Sequence, residues 1–505
     1  MRSVLRHPAA TASRSLAVAL FTSLALVACA VGPNYHRPSA ANPQRFKEAE
    51  GWKPAEPREA ASGTDWWSIY ADSTLDELEK QIDISNQTLK ASEAAWRQAT
   101  ALASQARAGL FPTIGVSATA TRSGGPGGRA TGATTGGTVT PLAHPTNEFE
   151  LLGTAAWDLD IWGKIRRTIE SDVASAQASE ADLAAARLSA QATLASDYIQ
   201  LRIADEQQQL LAKTVEGYTR SLEITQNQYH VGVVAKADVI TAETQLGGAQ
   251  SQLIAIGVTR ATLEHAIAVL IGKPPADFSL PPATLAGTVP VVPTGVPSSL
   301  LERRPDVAGA ERRMAAANAQ IGVAISAYFP DLTLSGQYGF ASNVVSGLVH
   351  ASNNFWSVGG ALNETLLDFG ARPAQVRQAR AAYDQTVANY RETVLTAFQQ
   401  VEDELATLRI LEGQVAVQEQ TVKSADLAVQ LTLNQYGAGT VAYTAVVTAQ
   451  AVALGDAQTL LTIRQNRLVA SVALVQALGG GWNAASIGTT QGTAAALAVG
   501  ETRVQ

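Results

Sequence analysis

The sequence is poor in the side chains from which most enzymes and metalloproteins build their sites. Its 505 residues include one cysteine, two methionines and six histidines. No two histidines stand at a metal-ligand spacing, and no Gly-x-Ser-x-Gly motif is present. A single cysteine also excludes an intramolecular disulfide. We therefore predict that the chain is not an enzyme, has no catalytic residues and no metal site, and needs no cofactor.

Charged and aromatic residues are also scarce. They make up 16% and 6% of the chain, and the formal net charge is −7. This balance is too negative for a nucleic-acid-binding protein, and the charge is too low for a disordered chain. The glycine-rich stretch Gly125–Gly128 is not followed by Gly-Lys-Ser/Thr. It therefore indicates a flexible loop and not a phosphate-binding loop.

Long hydrophobic runs are confined to the N-terminus. Three arginines precede the apolar run Leu16–Ala28, which ends at Cys29, the sole cysteine. This arrangement is typical of a bacterial lipoprotein signal over residues 1–28, with Cys29 acylated after cleavage. Ala30 favours sorting to the outer membrane. The alternative is an ordinary secretory signal followed by a chance cysteine. Since no later run reaches about 18 apolar residues, we expect no membrane-spanning helix in the mature chain.

Proline and tryptophan cluster outside the regular elements. Residues 29–72 are rich in both, which predicts an extended tether that docks through its tryptophans. Residues 273–299 hold seven prolines and predict an extended linker. Residues 480–505 form a polar C-terminal tail.

Proline and glycine are nearly absent from the stretch 371–436, where only Pro373 and Gly413 occur. Its apolar residues recur at steps of four and three, which predicts a long helix with a heptad-like apolar face. At 1.5 Å per residue, such a helix is about 100 Å long. A second long helix is predicted over 164–229. Shorter return helices are predicted over 236–272 and 441–479.

These segments belong to an internal repeat. Asp-Ile-Trp-Gly at Asp160–Gly163 precedes one long helix, and Asp-Phe-Gly at Asp368–Gly370 precedes the other. An offset of about 207 residues relates these landmarks and both helix ends, whereas Phe111-Pro112 and Phe329-Pro330 are 218 residues apart. A constant offset over more than 100 residues indicates a duplicated unit. We assign the repeats to 73–272 and 300–479, each with a helix, a β-hairpin, a long helix and a return helix. In the first repeat, the helix before the hairpin is predicted over 74–109.

The predicted hairpins lie at 112–160 and 330–367. Their four strands alternate between apolar and polar residues over about nine to eleven positions, the length of a membrane-crossing strand. A two-sided soluble sheet is the alternative. Four strands cannot close a barrel in lipid, eight leave a filled interior, and twelve leave a channel. We therefore predict a homotrimer. The predicted fold class is mixed: a long α-helical coiled-coil barrel plus a transmembrane β-barrel, with four strands per chain and an internal two-fold repeat.

Several motifs together resemble one family, the TolC-like outer-membrane factors, in their NodT-type efflux lipoprotein branch. The resembling residues are Cys29–Tyr35, Leu300–Val307 with its Arg-Arg-Pro-Asp-Val run, Ala327–Pro330, Leu367–Gly370, and Tyr-x-x-Gly at Tyr229–Gly232 and Tyr436–Gly439. The resemblance covers nearly the whole mature chain. It implies a trimeric exit duct, lipid-anchored and spanning the outer membrane, that carries small molecules from a periplasmic adaptor protein and an inner-membrane pump. The alternatives are a protein-secretion duct or a structural coiled-coil lipoprotein without a channel.

The resemblance also implies a gate at the periplasmic helix tips. Tyr436 matches the family's tip tyrosine, and Asp238 matches the aspartate on the neighbouring hairpin that is its hydrogen-bond partner. Tyr229 is the equivalent tyrosine of the first tip. Gly232 and Gly439 are expected to supply the positive φ of the two turns. Other family positions differ: Val441 stands where an arginine is expected, and Ala445 and Thr448 stand where an aspartate pair is expected. For Asp238, the alternative is a helix N-terminal carboxylate favoured by the helix dipole.

Overall fold

The computed structural model describes residues 30–40, 43, 45–48, 65–124, 145–285 and 302–488. The predictions for the signal, Cys29, Trp52, the loop 125–144, the later linker and the tail beyond Gly488 lie outside these ranges. The helices and strands, in chain order, are α1 (Ser73–Ser85), α2 (Gln87–Ala108), β1 (Thr113–Ser123), β2 (Thr146–Leu159), α3 (Lys164–His230), α4 (Lys236–Leu270), α5 (Pro305–Ser326), β3 (Asp331–Ser342), β4 (Asn354–Asn363), α6 (Ala371–Gly437) and α7 (Tyr443–Ala477).

The helix lengths repeat. Helices α3 and α6 have 67 residues each, and α4 and α7 have 35 each. Lys164 and Ala371, which begin the long helices, are 207 residues apart, as are Lys236 and Tyr443. Helices α2 and α5 have 22 residues each and begin 218 residues apart. The two offsets found in the sequence therefore recur as offsets between structural elements.

The helix before the first hairpin differs from the sequence prediction. A single helix was expected over 74–109, but Asn86 separates α1 from α2 with an extended backbone (φ −62°, ψ 121°). The Asn86 side chain donates a hydrogen bond to the Leu270 carbonyl at 2.7 Å and accepts one from the Leu89 amide at 2.9 Å. Asn86 therefore caps α2 and joins it to the end of α4, a tertiary role that local periodicity did not reveal.

The four strands form one antiparallel sheet in the order β1-β2-β3-β4. In the two hairpins, Thr113 pairs with Ala156 and Asp331 with Asn363. Moving the first pair by the two offsets, 218 for β1 and 207 for β2, gives the second pair. Strands β2 and β3 join the repeats, with Leu159 opposite Leu332. Strands β1 and β4 are the edges, and several of their apolar side chains are largely exposed.

The chain forms two compact units, and each draws on both repeats. The first comprises the described residues of Met1–Arg37, Gln98–Ala176 and Arg313–Val387, and it contains the whole sheet. The second comprises the described residues of Pro38–Arg97, Gln177–Arg312 and Ala388–Gln505, and it contains both return helices.

The second unit buries the residues that end the predicted tether. Trp66 and Trp67 are buried in a short 3₁₀-helix, Trp66–Tyr70. The Tyr70 hydroxyl lies 2.7 Å from the Ser471 hydroxyl of α7. The start of the linker is also fixed, because Arg202 donates to the Pro281 carbonyl at 2.8 Å and Asp205 accepts from the Ala283 amide at 3.1 Å.

Helices α4 and α7 are long and apolar enough to cross a membrane by length and composition alone. The expectation that the mature chain has no membrane-spanning helix stays a prediction. Alanine, glycine and glutamine interrupt the strongly apolar residues, so neither helix contains an unbroken run of about 18 apolar residues. Most of their apolar surface is unburied in the single chain.

Candidate functional site

The two helix tips share one turn geometry. Gly232 has φ +79° and Gly439 has φ +71°, both in the left-handed region. In the first turn, the Gly232 amide donates to the Tyr229 carbonyl and the Val233 amide to the Gln228 carbonyl, both at 2.9 Å. The same two bonds recur 207 residues later. An added Cβ at either glycine would meet no atom within 4 Å, so the backbone angle alone favours glycine there.

The two tip tyrosines have different surroundings. Tyr229 is 41% exposed, and its neighbours Val231 and Val233 are exposed as well. Tyr436 is only 5% exposed. It packs with Ala242, Tyr443 and Val446, and its ring centroid lies 5.3 Å from that of Tyr443. The first tip therefore presents apolar side chains at the surface, whereas the second tip packs its tyrosine inside the chain.

Polar side chains connect the four tip helices. Tyr436 of α6 donates its hydroxyl hydrogen to Thr225 Oγ1 of α3 at 3.3 Å. Gln450 of α7 donates to Ser221 Oγ of α3 at 3.0 Å, and Gln245 of α4 donates to Gln450 Oε1 at 3.1 Å. We call these five residues the tip network. Because most of its atoms are buried, breaking one bond leaves a polar group without its partner.

Asp238 does not bond to Tyr436 in the described part of the chain. The predicted tyrosine–aspartate hydrogen bond is therefore not formed within one subunit, and Thr225 accepts from Tyr436 instead. Asp238 lies in the first turn of α4, where the helix dipole favours a carboxylate. The charge of Asp238 still acts on Tyr436. Burial raises the pKa of Tyr436, and the Asp238 carboxylate adds to that rise.

Tyr443 is fixed in its neutral form. Burial raises its pKa to about 12, and the neighbouring Tyr436 and Tyr218 act in the same direction. Tyr443 and the tip network partners Thr225, Ser221, Gln245 and Gln450 were missed from the sequence. Ser221 and Thr225 stand one helical turn apart in an otherwise apolar pattern, and that spacing was the available signal.

The structure shows the environments of the three residues that depart from the family pattern. Val441 packs against the cluster formed by Tyr436, Tyr443, Ala242 and Val446, where a charged side chain would be desolvated. Ala445 and Thr448 are exposed and uncharged. Within the described residues, no group of three or more His, Cys, Asp or Glu side chains is placed to hold a metal ion.

The residues that follow Cys29 are held in the sheet-containing unit. The Val31 amide donates to the Trp162 carbonyl at 3.0 Å. The buried Arg167 guanidinium donates to the carbonyls of Val31 and Gly32 at 3.1 and 3.2 Å. It also donates to Asn34 Oδ1 at 3.1 Å.

Two glycines leave the space for this segment. A Cβ on Gly163 would lie 2.7 Å from Ala30 Cα, and one on Gly322 would lie 2.9 Å from the Val31 carbonyl oxygen. We call Gly163, Arg167 and Gly322 the N-terminal clasp. Cys29 itself lies outside the described residues, but the covalent chain keeps it within about 3.8 Å of Ala30, Cα to Cα.

The structure resembles solved outer-membrane channels. The outer-membrane channel OprN has a TM-score of 0.82 and 29% identity, over 90% of this chain and all of that chain. The Campylobacter jejuni CmeC outer membrane channel has a TM-score of 0.83 at 22% identity, over 90% of this chain and 96% of that chain, a likeness of fold. The predicted fold class is thereby confirmed.

Protein sequences give the same result. The probable efflux pump outer membrane protein TtgC of Pseudomonas putida KT2440 is 27% identical over 472 residues, 93% of this chain and 96% of the relative. The cation efflux system protein CusC of Escherichia coli K12 is also 27% identical, over 91% and 98% of the two chains. The family model for outer membrane efflux proteins matches residues 78–273 and 296–480. The chain therefore belongs to the outer membrane efflux protein family, and it is an exit duct in the outer membrane, as its sequence predicted.

Proposed function

We propose that three copies of this chain close into one duct that receives small molecules from a periplasmic adaptor and an inner-membrane pump. The observation that carries the proposal is the sheet, which has four strands and two open edges. Unpaired strand edges are not viable in lipid, so other copies must complete the barrel. Three copies supply twelve strands, enough for a water-filled channel. The unburied apolar surface of α4 and α7 supports the same assembly.

The adaptor is proposed to dock at the first tip. Tyr229, Val231 and Val233 present an exposed apolar surface on a turn with a fixed backbone. The relatives are named as components of efflux pumps or efflux systems, which supports operation with a pump. Because relatives named for toluene and for cation efflux have the same 27% identity, sequence similarity does not select the cargo. On this proposal the chain is not an enzyme and takes no cofactor besides a covalent lipid.

That lipid is proposed to be carried by Cys29. The clasp fixes Ala30 beside Gly163, four residues after strand β2 ends at Leu159. An acyl group on Cys29 would therefore start close to the end of a membrane strand. Mass spectrometry of the N-terminal peptide tests the assignment: a diacylglyceryl cysteine supports it, and an unmodified Cys29 or a cleavage elsewhere would refute it.

A deletion strain tests the duct. We expect loss of the gene to raise the intracellular level of a fluorescent efflux dye, and the intact gene to restore export. The same strain is examined for its secreted proteins. A strain that exports dye normally but lacks a secreted protein would favour the protein-secretion alternative.

The gate is tested by conductance. Asp238→Ala is expected to raise single-channel conductance in a planar bilayer, and Tyr436→Phe to raise it further. The tyrosine variant loses the bond to Thr225, worth about 1 kcal/mol, which corresponds to an increase of about fivefold in the open population. Asp384→Ala, an equal charge change at an exposed site 52 residues before Tyr436, is the control. Unchanged conductance in both tip variants would mean that closure lies elsewhere.

A further inference from the structure

The two repeats meet inside the chain at an aromatic contact. The Trp162 ring stacks on Phe329 with centroids 4.7 Å apart and planes inclined by 22°. Trp162 Nε1 also donates to the Pro330 carbonyl at 2.9 Å. Trp162 lies between β2 and α3, and Phe329 precedes β3. The contact therefore stands at the end of the β2–β3 pairing and joins one repeat to the next.

The repeat supplies the same two aromatic positions at the outer edges of the sheet. An offset of 207 takes Trp162 to Phe369, and an offset of 218 takes Phe329 back to Phe111. Trp162 and Phe329 are half-buried, whereas Phe369 is 99% and Phe111 is 69% exposed. Phe369 also has φ +49°, a conformation unfavourable for a bulky residue. Each edge of the sheet thus carries one half of the contact seen between the repeats.

We propose that Phe369 of one subunit stacks on Phe111 of the next, and that β4 pairs with the neighbouring β1 in a fixed register. The inference rests on the proposed trimer and specifies its interface. The internal pair Thr154–Gln337 becomes, by the two offsets, Ala361 opposite Thr119 of the next subunit. The hairpins justify this transfer, because their own registers are related by the same two offsets.

The sequence agrees with this register. The proposed register places Leu362 opposite Ala118 and Gly360 opposite Ala120, so the apolar faces of the two strands lie side by side. Continued three residues beyond the end of β4, the register also places Leu366 opposite Ile114. These residues are the equivalents of Leu159 and Leu332, which pair within the chain. A shift of one residue would place the apolar face of one strand beside the polar face of the other.

Cysteine cross-linking tests the register. Directly opposed antiparallel residues have Cα atoms about 4.5–5.5 Å apart, within the range of a disulfide. Within one chain, β1 and β4 lie three strand spacings apart, about 14 Å, so a link must join two subunits. We expect the Thr119→Cys, Ala361→Cys double variant to migrate as a covalent trimer without reductant. Matched controls pair Ala361→Cys with Ser117→Cys or Thr121→Cys, each two residues out of register.

The outcomes separate the interface from the assembly. A covalent trimer that forms more efficiently in the Thr119 pair than in both controls supports the register. Stronger linking in a control pair, or none in a protein that light scattering shows to be trimeric, would overturn it and leave the trimer intact. A monomer in detergent and in membranes would overturn the proposed function as well.

The aromatic stack has its own test. Phe369→Ala and Phe111→Ala should each lower the temperature at which the trimer dissociates. The dissociation temperature of the double variant should be no lower than that of the less stable single variant. Phe329→Ala, which removes the contact within the chain, should lower the unfolding temperature of the subunit itself. Additive losses, or no loss in either edge variant, would show that the two side chains do not meet.

Discussion

Replacing Glu79 with glutamine is expected to raise the free energy of unfolding by about 3 kcal/mol per chain at pH 7. The Glu79 side chain is 0% exposed, and neither carboxyl oxygen has a hydrogen-bond partner among the described residues. Burial, aided by the charges of Asp83 and Asp76, raises its pKa from 4.5 to about 9. Glu79 is therefore a neutral acid in the folded chain at neutral pH.

The direction in which stability changes with pH follows from proton binding to Glu79. Between pH 4.5 and 9 the folded chain holds a proton on Glu79 that the unfolded chain releases, so stability falls as pH rises through this range. The fall is about 1.4 kcal/mol per pH unit, hence about 3 kcal/mol by pH 7. Glutamine has no such proton, and the penalty is absent.

Denaturant unfolding of the detergent-solubilised protein between pH 5 and pH 8 measures both effects. The wild-type protein should lose stability with rising pH relative to Glu79→Gln, and the two should converge near pH 5. Glu77→Gln is the control, since Glu77 lies on the same helix with an exposed side chain. Parallel pH profiles for wild type and Glu79→Gln would refute the buried neutral acid.

Gly322→Ala is expected to release the N-terminal segment from its clasp. The new Cβ would lie 2.9 Å from Arg167 Cγ and Cδ and from the Val31 carbonyl oxygen. Such overpacking costs about 1–3 kcal/mol. Here the cost is expected to appear as displacement of residues 30–34. Helices α3 and α5 are also joined by the hydrogen bond from Gln320 to Ser171 Oγ at 2.8 Å and by the packing of Ala315 and Ala316 with Ala174. Limited chymotrypsin digestion, read by mass spectrometry, should show faster cleavage after Tyr35 than in the wild type, because Tyr35 directly follows the displaced segment.

Gly217→Ala is the matched control for this substitution. Gly217 also lies within a helix, here α3, but an added Cβ there meets no atom within 4 Å. Replacing it should be neutral or stabilise the helix by about 0.5–1 kcal/mol. Arg167→Ala should reproduce the faster cleavage, because the segment loses three hydrogen bonds. If Gly322→Ala and Gly217→Ala were cleaved at the wild-type rate, the clasp would not be what holds the segment.

The long helices could be predicted from the sequence because their signals are local. Apolar periodicity runs through α3 and α6 without a proline beyond the first turn, and Gly232 and Gly439 follow their last residues. Because the unit is duplicated, the pattern of one long helix supports the prediction of the other. The strands could be predicted for the same reason, since alternation over about ten positions occurs in both hairpins.

What the sequence did not reveal depends on contacts between distant segments. Asn86 breaks a helix because its side chain reaches the end of α4, 184 residues away. Glu79 looks like an ordinary surface residue of an amphipathic helix until its burial is known. The predicted partner of Tyr436 was taken from a family pattern. In this chain Thr225, 211 residues away, receives the hydrogen bond.

The unequal tips have a consequence for any protein that binds the helix tips of the proposed trimer. Duplication within one gene has let the two copies diverge, one exposing Tyr229 and the other enclosing Tyr436. In the trimer that we propose, three copies of each tip alternate around a ring of six. A partner protein with threefold symmetry would then be able to bind one kind of tip, whereas a sixfold partner would have to accommodate both.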